Sequence, residues 1–180
     1  LLLHNMQVKI NAVVMENVNT DELTAFTALT RDNPLSVRFI EEMPFNGQGH
    51  TFSGINWNYQ KILAAIGEAY TLQKTDDAPH STSLNYHIPG HKGNVGVIPA
   101  YSRTFCGTCN RLRISATGSV KTCLYGNDAL NVKDIMREEP QSRRLLPAIQ
   151  SAIRARFANG FEAELHHAAK NMESMSVIGG

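Results

Sequence analysis

Apolar and polar positions alternate through residues 6–15, MQVKINAVVM, so Val8 and Ile10 fall on one side of an extended chain and Lys9 and Asn11 on the other. A period of two with β-branched side chains predicts a strand. Residues 19–32, NTDELTAFTALTRD, read as a helix, with Asn19 placed as its cap and Glu22 three residues on, as in a capping box. A second strand is predicted over 35–44, LSVRFIEEMP, with Val37 and Phe39 on the face opposite Arg38 and Ile40. A second helix is predicted over 56–70, where Ile62, Leu63 and Ile66 form an apolar stripe. Strand, helix, strand, helix in that order implies parallel strands in α/β layers.

The pattern changes near residue 71. NYHIPGHKGNVGVIPA (85–100) is glycine-rich and strand-like, and a cysteine-bearing stretch follows it. LNVKDIMR and RRLLPAIQSAIRARF are short helical patterns, with Pro147 in the first turn of the last helix or at a kink in it. The closing NMESMSVIGG has no helical period. A boundary is therefore expected around residues 70–77, with α/β structure before it and a mixed, irregular part after it. No internal repeat or low-complexity tract is present.

Composition narrows the functional classes. The 180 residues are 42% hydrophobic, enough for a substantial core. Lys plus Arg total 17 against 16 acids, a net charge of +1, so no global field draws the chain to nucleic acid or a membrane surface. Any anion site has to be a local arrangement. No apolar run reaches the ~20 residues of a membrane span, and the opening LLLHNMQVKI lacks the pattern of a signal peptide. The expected compartment is the cytoplasm. The chain opens on Leu1 and its first methionine is Met6, which reads as a piece of something longer.

All three cysteines lie in FCGTCNRLRISATGSVKTC, residues 105–123. An odd count in a reducing compartment argues against disulfides and for metal or redox chemistry. Cys106-Gly107-Thr108-Cys109 is a tight turn, with Gly107 expected to let both sulfurs point at one centre. RLRIS-ATG-SVKTC reads as a hairpin whose three-residue loop ends on Gly118 in the left-handed region. That register sets Ser115 opposite Ser119, Arg113 opposite Lys121 and Arg111 opposite Cys123. Opposed residues share a face, so Cys123 returns toward the first two cysteines on the side of Arg111 and Arg113. A one-residue slip would move it to the face of Leu112.

Two metal chemistries suit three thiolates. Structural zinc would need a fourth ligand, with His87, His91, His166 and His167 as candidates. An iron–sulfur cubane held by three cysteines leaves one iron open to a nitrogen or oxygen of a small molecule. Two arginines beside it could hold phosphates through charge-assisted forks. Alternating arginines are also common on solvated strand faces, so spacing alone leaves both metals and a plain thiol cluster open.

The C-x2-C-x13-C spacing within FCGTCNRLRISATGSVKTCL resembles the C-terminal cluster motif of the GTP 3′,8-cyclases, the radical S-adenosylmethionine enzymes of molybdenum cofactor biosynthesis protein A type. VKIN (8–11), VRFIEEMP (37–44) and the terminal IGG (178–180) are similar in the same order. The resemblance implies a fold: the C-terminal part of an incomplete TIM-like (β/α) barrel followed by a small α+β iron–sulfur domain. Residues 1–70 would be the last two strand–helix units of the barrel, and 71–180 the cluster and GTP-binding domain. It implies that Cys106, Cys109 and Cys123 ligate a 4Fe–4S cluster whose open iron meets the guanine of GTP. Lys9, Arg38, Arg111, Leu112 and Arg113 would bind GTP, Leu112 mainly through its backbone, and Met43 would lie against S-adenosylmethionine. Polar residues pointing into a barrel commonly serve a ligand. Read by themselves, Glu41 and Glu42 could support a site, but a solvated acidic pair is the expectation. The Gly179-Gly180 tail would reach into the active site.

In the complete enzyme the family converts GTP to (8S)-3′,8-cyclo-7,8-dihydroguanosine 5′-triphosphate. A deoxyadenosyl radical takes a ribose hydrogen and the C3′ radical then attacks C8. The resemblance further implies S-adenosylmethionine and a second 4Fe–4S cluster, a missing N-terminal barrel half as partner, and a homodimer. The family's C-x3-C-x2-C motif is absent from residues 1–180, so the chain by itself is expected to be inactive. Two other readings stand beside this one. They are a zinc-stabilised, non-catalytic binding module, and a radical-enzyme relative that uses the extra cluster for electron transfer.

Overall fold

The computed structural model describes residues 1–4, 6–45, 52, 54–138, 143–167 and 174–175. The chain forms two compact units. The first comprises Leu1–Met43 and Phe52–Phe105, the second Pro44–Thr51 and Cys106–Gly180.

In the first unit, β1 (Val8–Val14) shows the predicted alternation: Val8, Ile10 and Ala12 pack on the core, and Lys9 and Asn11 are exposed. Helix α1 (Leu23–Asp32) begins later than the capping-box reading placed it. Glu22 is its N-cap residue and makes no side-chain cap bond. Asn19 is used elsewhere: its Oδ1 accepts from the Met15 N–H at 2.9 Å and its Nδ2 donates to the Val13 carbonyl at 2.8 Å. Asn19 thus serves backbone groups at the end of β1 instead of capping the helix.

Strand β2 (Leu35–Glu41) pairs parallel with β1, Val8 opposite Leu35 through Val14 opposite Glu41. Helix α2 (Tyr59–Gly67) starts at Asn58, whose Oδ1 accepts from the Lys61 N–H at 2.9 Å. Its stripe is as expected, with Ile62 and Ile66 fully buried. Three more strands follow: β3 (Gln73–Lys74), β4 (Leu84–His87) and β5 (Asn94–Ile98). They join the same sheet in the order β1-β2-β5-β4-β3, with β1, β2 and β5 parallel and β4 and β3 antiparallel. The composition change near residue 71 thus falls inside the first unit. Val14, Leu23, Val37, Phe39, Ile62, Ile66, Val95 and Val97 form its core.

The second unit holds the three-stranded antiparallel sheet β6 (Arg113–Ile114), β7 (Ser119–Lys121) and β8 (Leu130–Asn131). Helices α3 (Val132–Glu138), α4 (Leu145–Arg154) and α5 (Gly160–Leu165) follow. Pro147 sits in the first turn of α4. Helix α5 is not foreseen in the hydrophobic pattern, although its cap is explicit. Asn159 Oδ1 accepts from the N–H groups of Phe161 and Glu162 at 3.0 and 2.9 Å. No helix among the described residues is long and apolar enough to cross a membrane.

Candidate metal and anion sites

Cys106, Gly107 and Thr108 form one turn of 3₁₀ helix, closed by the Cys109 N–H donating to the Cys106 carbonyl at 3.2 Å. The turn does not depend on glycine's freedom, because a Cβ at Gly107 would meet nothing within 4 Å. The hairpin adopts the predicted register, with Arg113 opposite Lys121 and Ile114 opposite Val120. Gly118 closes the loop at φ +90°, the left-handed region that the turn requires. Its N–H donates to the Ser115 carbonyl at 3.0 Å, and the Ser115 N–H donates to the Ser119 carbonyl at 2.9 Å.

Electrostatics tie the three thiols together. All three are free and half-buried. Burial pushes the Cys123 thiol up, and the charges of Cys106 and Cys109 push it further. Burial acts upward on Cys109 too. There the Arg111 backbone N–H and the Arg156 guanidinium outweigh it and hold the thiol below its ordinary range. Arg113 is half-buried; burial and the neighbouring Arg111 lower its pKa, while Cys109 and Cys123 act against that. The hairpin therefore gathers Cys109, Cys123, Arg111 and Arg113 within electrostatic reach of one another. Leu112 between the arginines is 40% exposed.

Arg156, just beyond α4, escapes any sequence reading. It lies 33 positions after Cys123, and no local motif marks it. Cys123 also lines a cleft of roughly 460 Å³ with Asp128, Ala148, Ala152 and Phe157.

The donor chemistry fits a thiolate-bound metal group: Cys123 senses the charges of Cys106 and Cys109, and Arg156 favours the thiolate form of Cys109 and Cys123. The side chains do not close around an ion. Among the described residues no group of three or more His, Cys, Asp or Glu is placed to hold one. Two of the suggested histidine ligands are engaged otherwise. His91 Nδ1 is 2.7 Å from the Thr30 hydroxyl, and its ring meets Tyr70 edge-on. His166 stacks on Phe157 and reaches the Glu162 carbonyl.

In the first unit, Lys9 and Arg38 lie on the same face of the sheet. Lys9 is opposite Ser36, and Arg38 is opposite Asn11 on one side and Gly96 on the other. The opposite face carries Val37, Phe39, Val95 and Val97, all fully buried. Met43 follows β2 and is half-buried. The expectation for Glu41 is overturned: it is fully buried rather than solvated. Its position on the core face at the end of β2 puts it in reach of the Tyr59 N–H at 2.6 Å and of Ser102. The Gly179-Gly180 tail lies outside the described residues.

The family profile Molybdenum Cofactor Synthesis C matches residues 35–161. The chain is 37% identical over 183 residues to molybdenum cofactor biosynthesis protein 1 of Dictyostelium discoideum, covering 99% of this chain and 28% of that protein. It is 42% identical over 147 residues to the protein of the same name from Homo sapiens, covering 81% of this chain and 23% of the relative. It is also 31% identical over 176 residues to a GTP 3′,8-cyclase of Chlorobaculum tepidum, covering 98% of this chain and 52% of the relative. The chain thus spans between about a quarter and a half of the length of these relatives.

Proposed function

The chain belongs to the Molybdenum Cofactor Synthesis C family, and from that premise we propose that it is the substrate-holding C-terminal part of a GTP 3′,8-cyclase. In this reading residues 1–70 continue a partial TIM-like barrel whose earlier units lie in an N-terminal half, and the cysteine hairpin belongs to an iron–sulfur domain. Cys106, Cys109 and Cys123 would hold a 4Fe–4S cluster. When bound, that cluster supplies an iron that a nitrogen or oxygen of the guanine can approach.

The chain's own residues bind and orient. Arg111 and Arg113 present fixed guanidinium charge beside the thiols, suited to phosphate or to the anionic cluster surroundings. Lys9 and Arg38 contribute cationic groups from the polar face of the first-unit sheet, and Met43 packs against S-adenosylmethionine. Holding the ribose C3′ and guanine C8 within reach of each other is a proximity effect. The chain's three cysteines are all committed to residues 106–123, so the radical-generating cluster has to come from another segment. Residues 1–180 alone would be inactive. The reading places the work in the cytoplasm, with GTP as ligand, the barrel's N-terminal half as partner and a homodimer as the assembled enzyme.

The observation that carries this reading is the hairpin register, which sets Arg113 opposite Lys121 and leaves Arg113 sensing both Cys109 and Cys123. The test is anaerobic reconstitution with iron and sulfide, followed by Mössbauer spectra with and without GTP. A four-iron cluster with one distinct iron that responds to GTP is the expected result. Stoichiometric zinc without a cluster would replace the reading with a zinc-stabilised binding module. A cluster indifferent to GTP would point to electron transfer.

A further inference from the structure

Cys123 differs from the other two thiols in what holds it. Cys106 opens a 3₁₀ turn that the Cys109 N–H closes. Cys123 sits in residues 122–129, which leave β7 and return at β8 with neither helix nor strand between. The ends of this loop are joined by the Ala129 N–H, which donates to the Val120 carbonyl at 2.7 Å. Within it the Gly126 N–H donates to the Cys123 carbonyl at 3.2 Å. A Cβ at Gly126 would stand 3.7 Å from Cys123 Cβ. Where Gly126 is held therefore governs where the third thiol stands.

Lys121, the last residue of β7, reaches into that loop. It is 8% exposed. Its Nζ donates to the Gly126 carbonyl at 3.4 Å and lies 3.3 Å from Asp128 Oδ1. A buried ammonium opposes folding unless its partners replace the lost water. The register adds to that cost, because Lys121 stands directly opposite Arg113 and opposed like charges repel. A methionine of similar length would fill the same space without either penalty. What the charge adds is a link across the loop. One group grips residues 126 and 128 from the strand that precedes Cys123.

We propose that Lys121 is the positioning residue of the third thiol. Its ammonium group, set between the Gly126 carbonyl and the Asp128 carboxylate, holds the loop shut and presents Cys123 to a metal that Cys106 and Cys109 also bind. This rests on the reading above that the three thiols share one metal group; the clamp itself rests on the loop geometry.

Cadmium titration of the metal-free 180-residue chain tests the assignment, because each bound thiolate adds to an ultraviolet charge-transfer band. The parent is expected to bind cadmium through three thiolates. Lys121→Met and Asp128→Asn should each weaken cadmium about tenfold, the worth of a hydrogen bond to a charged group, and reduce the band to that of two thiolates. The double variant should lose no more than either single one, as expected of two residues acting as a unit. Lys121→Arg keeps the charge and the reach and should restore the third thiolate. The melting temperature of metal-free Lys121→Met should not fall, since Asp128 is half-exposed and returns to water and the repulsion from Arg113 is relieved.

A Lys121→Met chain that binds cadmium through three thiolates as tightly as the parent overturns the proposal. So does a loss that appears only with a fall in melting temperature, or one that Lys121→Arg leaves unrepaired; either reduces Lys121 to packing. A parent chain that binds cadmium through fewer than three thiolates overturns the shared metal site, and this role with it.

Discussion

Glu41 accepts two hydrogen bonds from Ser102, one from its backbone N–H and one from its hydroxyl, both at 2.7 Å. Sixty-one positions separate the two residues in the chain. The same carboxylate accepts from the Tyr59 N–H at 2.6 Å, at the first residue of α2, where a negative charge also meets the helix dipole. One buried side chain thus ties the end of β2 to the start of α2 and to the segment after β5. Glu41→Ala would strand three donors and leave a cavity, and should lower stability by about 3–5 kcal/mol. Urea unfolding would measure it. Glu41→Gln keeps the shape and should cost roughly half as much; equal losses in the two variants would reduce the carboxylate's role to packing.

Gly118 and Gly107 make a contrasting pair in the cysteine hairpin. At Gly118 a Cβ would meet Lys133 Cβ at 2.6 Å and Asn131 Oδ1 at 2.8 Å on a backbone at φ +90°. At Gly107 it would meet nothing within 4 Å. Gly118→Ala should destabilise the second unit by about 1–3 kcal/mol, and Gly107→Ala by less than about 0.5 kcal/mol. Denaturant unfolding followed by far-ultraviolet circular dichroism would separate them. A Gly118→Ala chain as stable as the parent would refute the turn geometry.

The metal-free thiols should differ in reactivity. Thiolate is the nucleophile. Cys109, held low by the Arg111 backbone N–H and Arg156 against burial, should be alkylated by iodoacetamide at a lower pH than Cys123, which burial and the neighbouring thiols raise. Peptide mapping across a pH series reads the order directly. Arg156→Ala should shift the Cys109 profile upward and narrow the gap.

Asp77 gives the first unit a pH dependence. Its Oδ1 accepts from the Asn85 N–H at 2.9 Å and from Asn85 Nδ2 at 2.8 Å, and its Oδ2 lies 2.6 Å from Lys74 Nζ. Burial pushes the carboxyl up, but Lys74 and the Asn85 donors outweigh it, so the folded pKa is lowered. A lowered carboxylate pKa stabilises the fold above the unfolded value, about 3.9, and that gain is lost as pH falls through the folded value. The melting-temperature gap between the parent and Asp77→Ala should be constant near neutrality and shrink below about pH 4. A gap that persists unchanged in acid would rule out the ionised form as its source.

Among the described residues, strand β1 is an edge of its sheet, pairing with β2 on one side. Val13 on this strand is 41% exposed and Met6 just before it 54%. Unpaired edge backbone beside apolar side chains invites self-association. The 180-residue chain should therefore be poorly soluble, and Val13→Lys should reduce the association seen by light scattering. A monodisperse parent with one cooperative melt would contradict this.

The alternation of Val8, Lys9, Ile10 and Asn11 was enough to assign faces in β1, because side-chain direction in a strand has a strict period of two. The turn preference of Gly118 was likewise enough to set the hairpin register, and with it the meeting of Arg113 and Lys121. Both are consequences of neighbouring residues. The family motif adds a resemblance over most of the chain, which composition alone could not supply.

Long-range partners were out of reach. Asn19 has the residue type of a helix cap and instead serves backbone groups at the end of β1. Glu41 reads as a surface acid next to Glu42 and is buried, because Tyr59 and Ser102 arrive from other elements to satisfy it. The glycine-rich stretch after residue 71 looks like a new domain and adds strands to the first sheet. Arg156 reaches Cys109 across the second unit, with no local signal in its own neighbours. Local pattern encodes backbone direction and turn chemistry; which buried charge is tolerated, and which thiol is activated, follows from groups brought together only by packing.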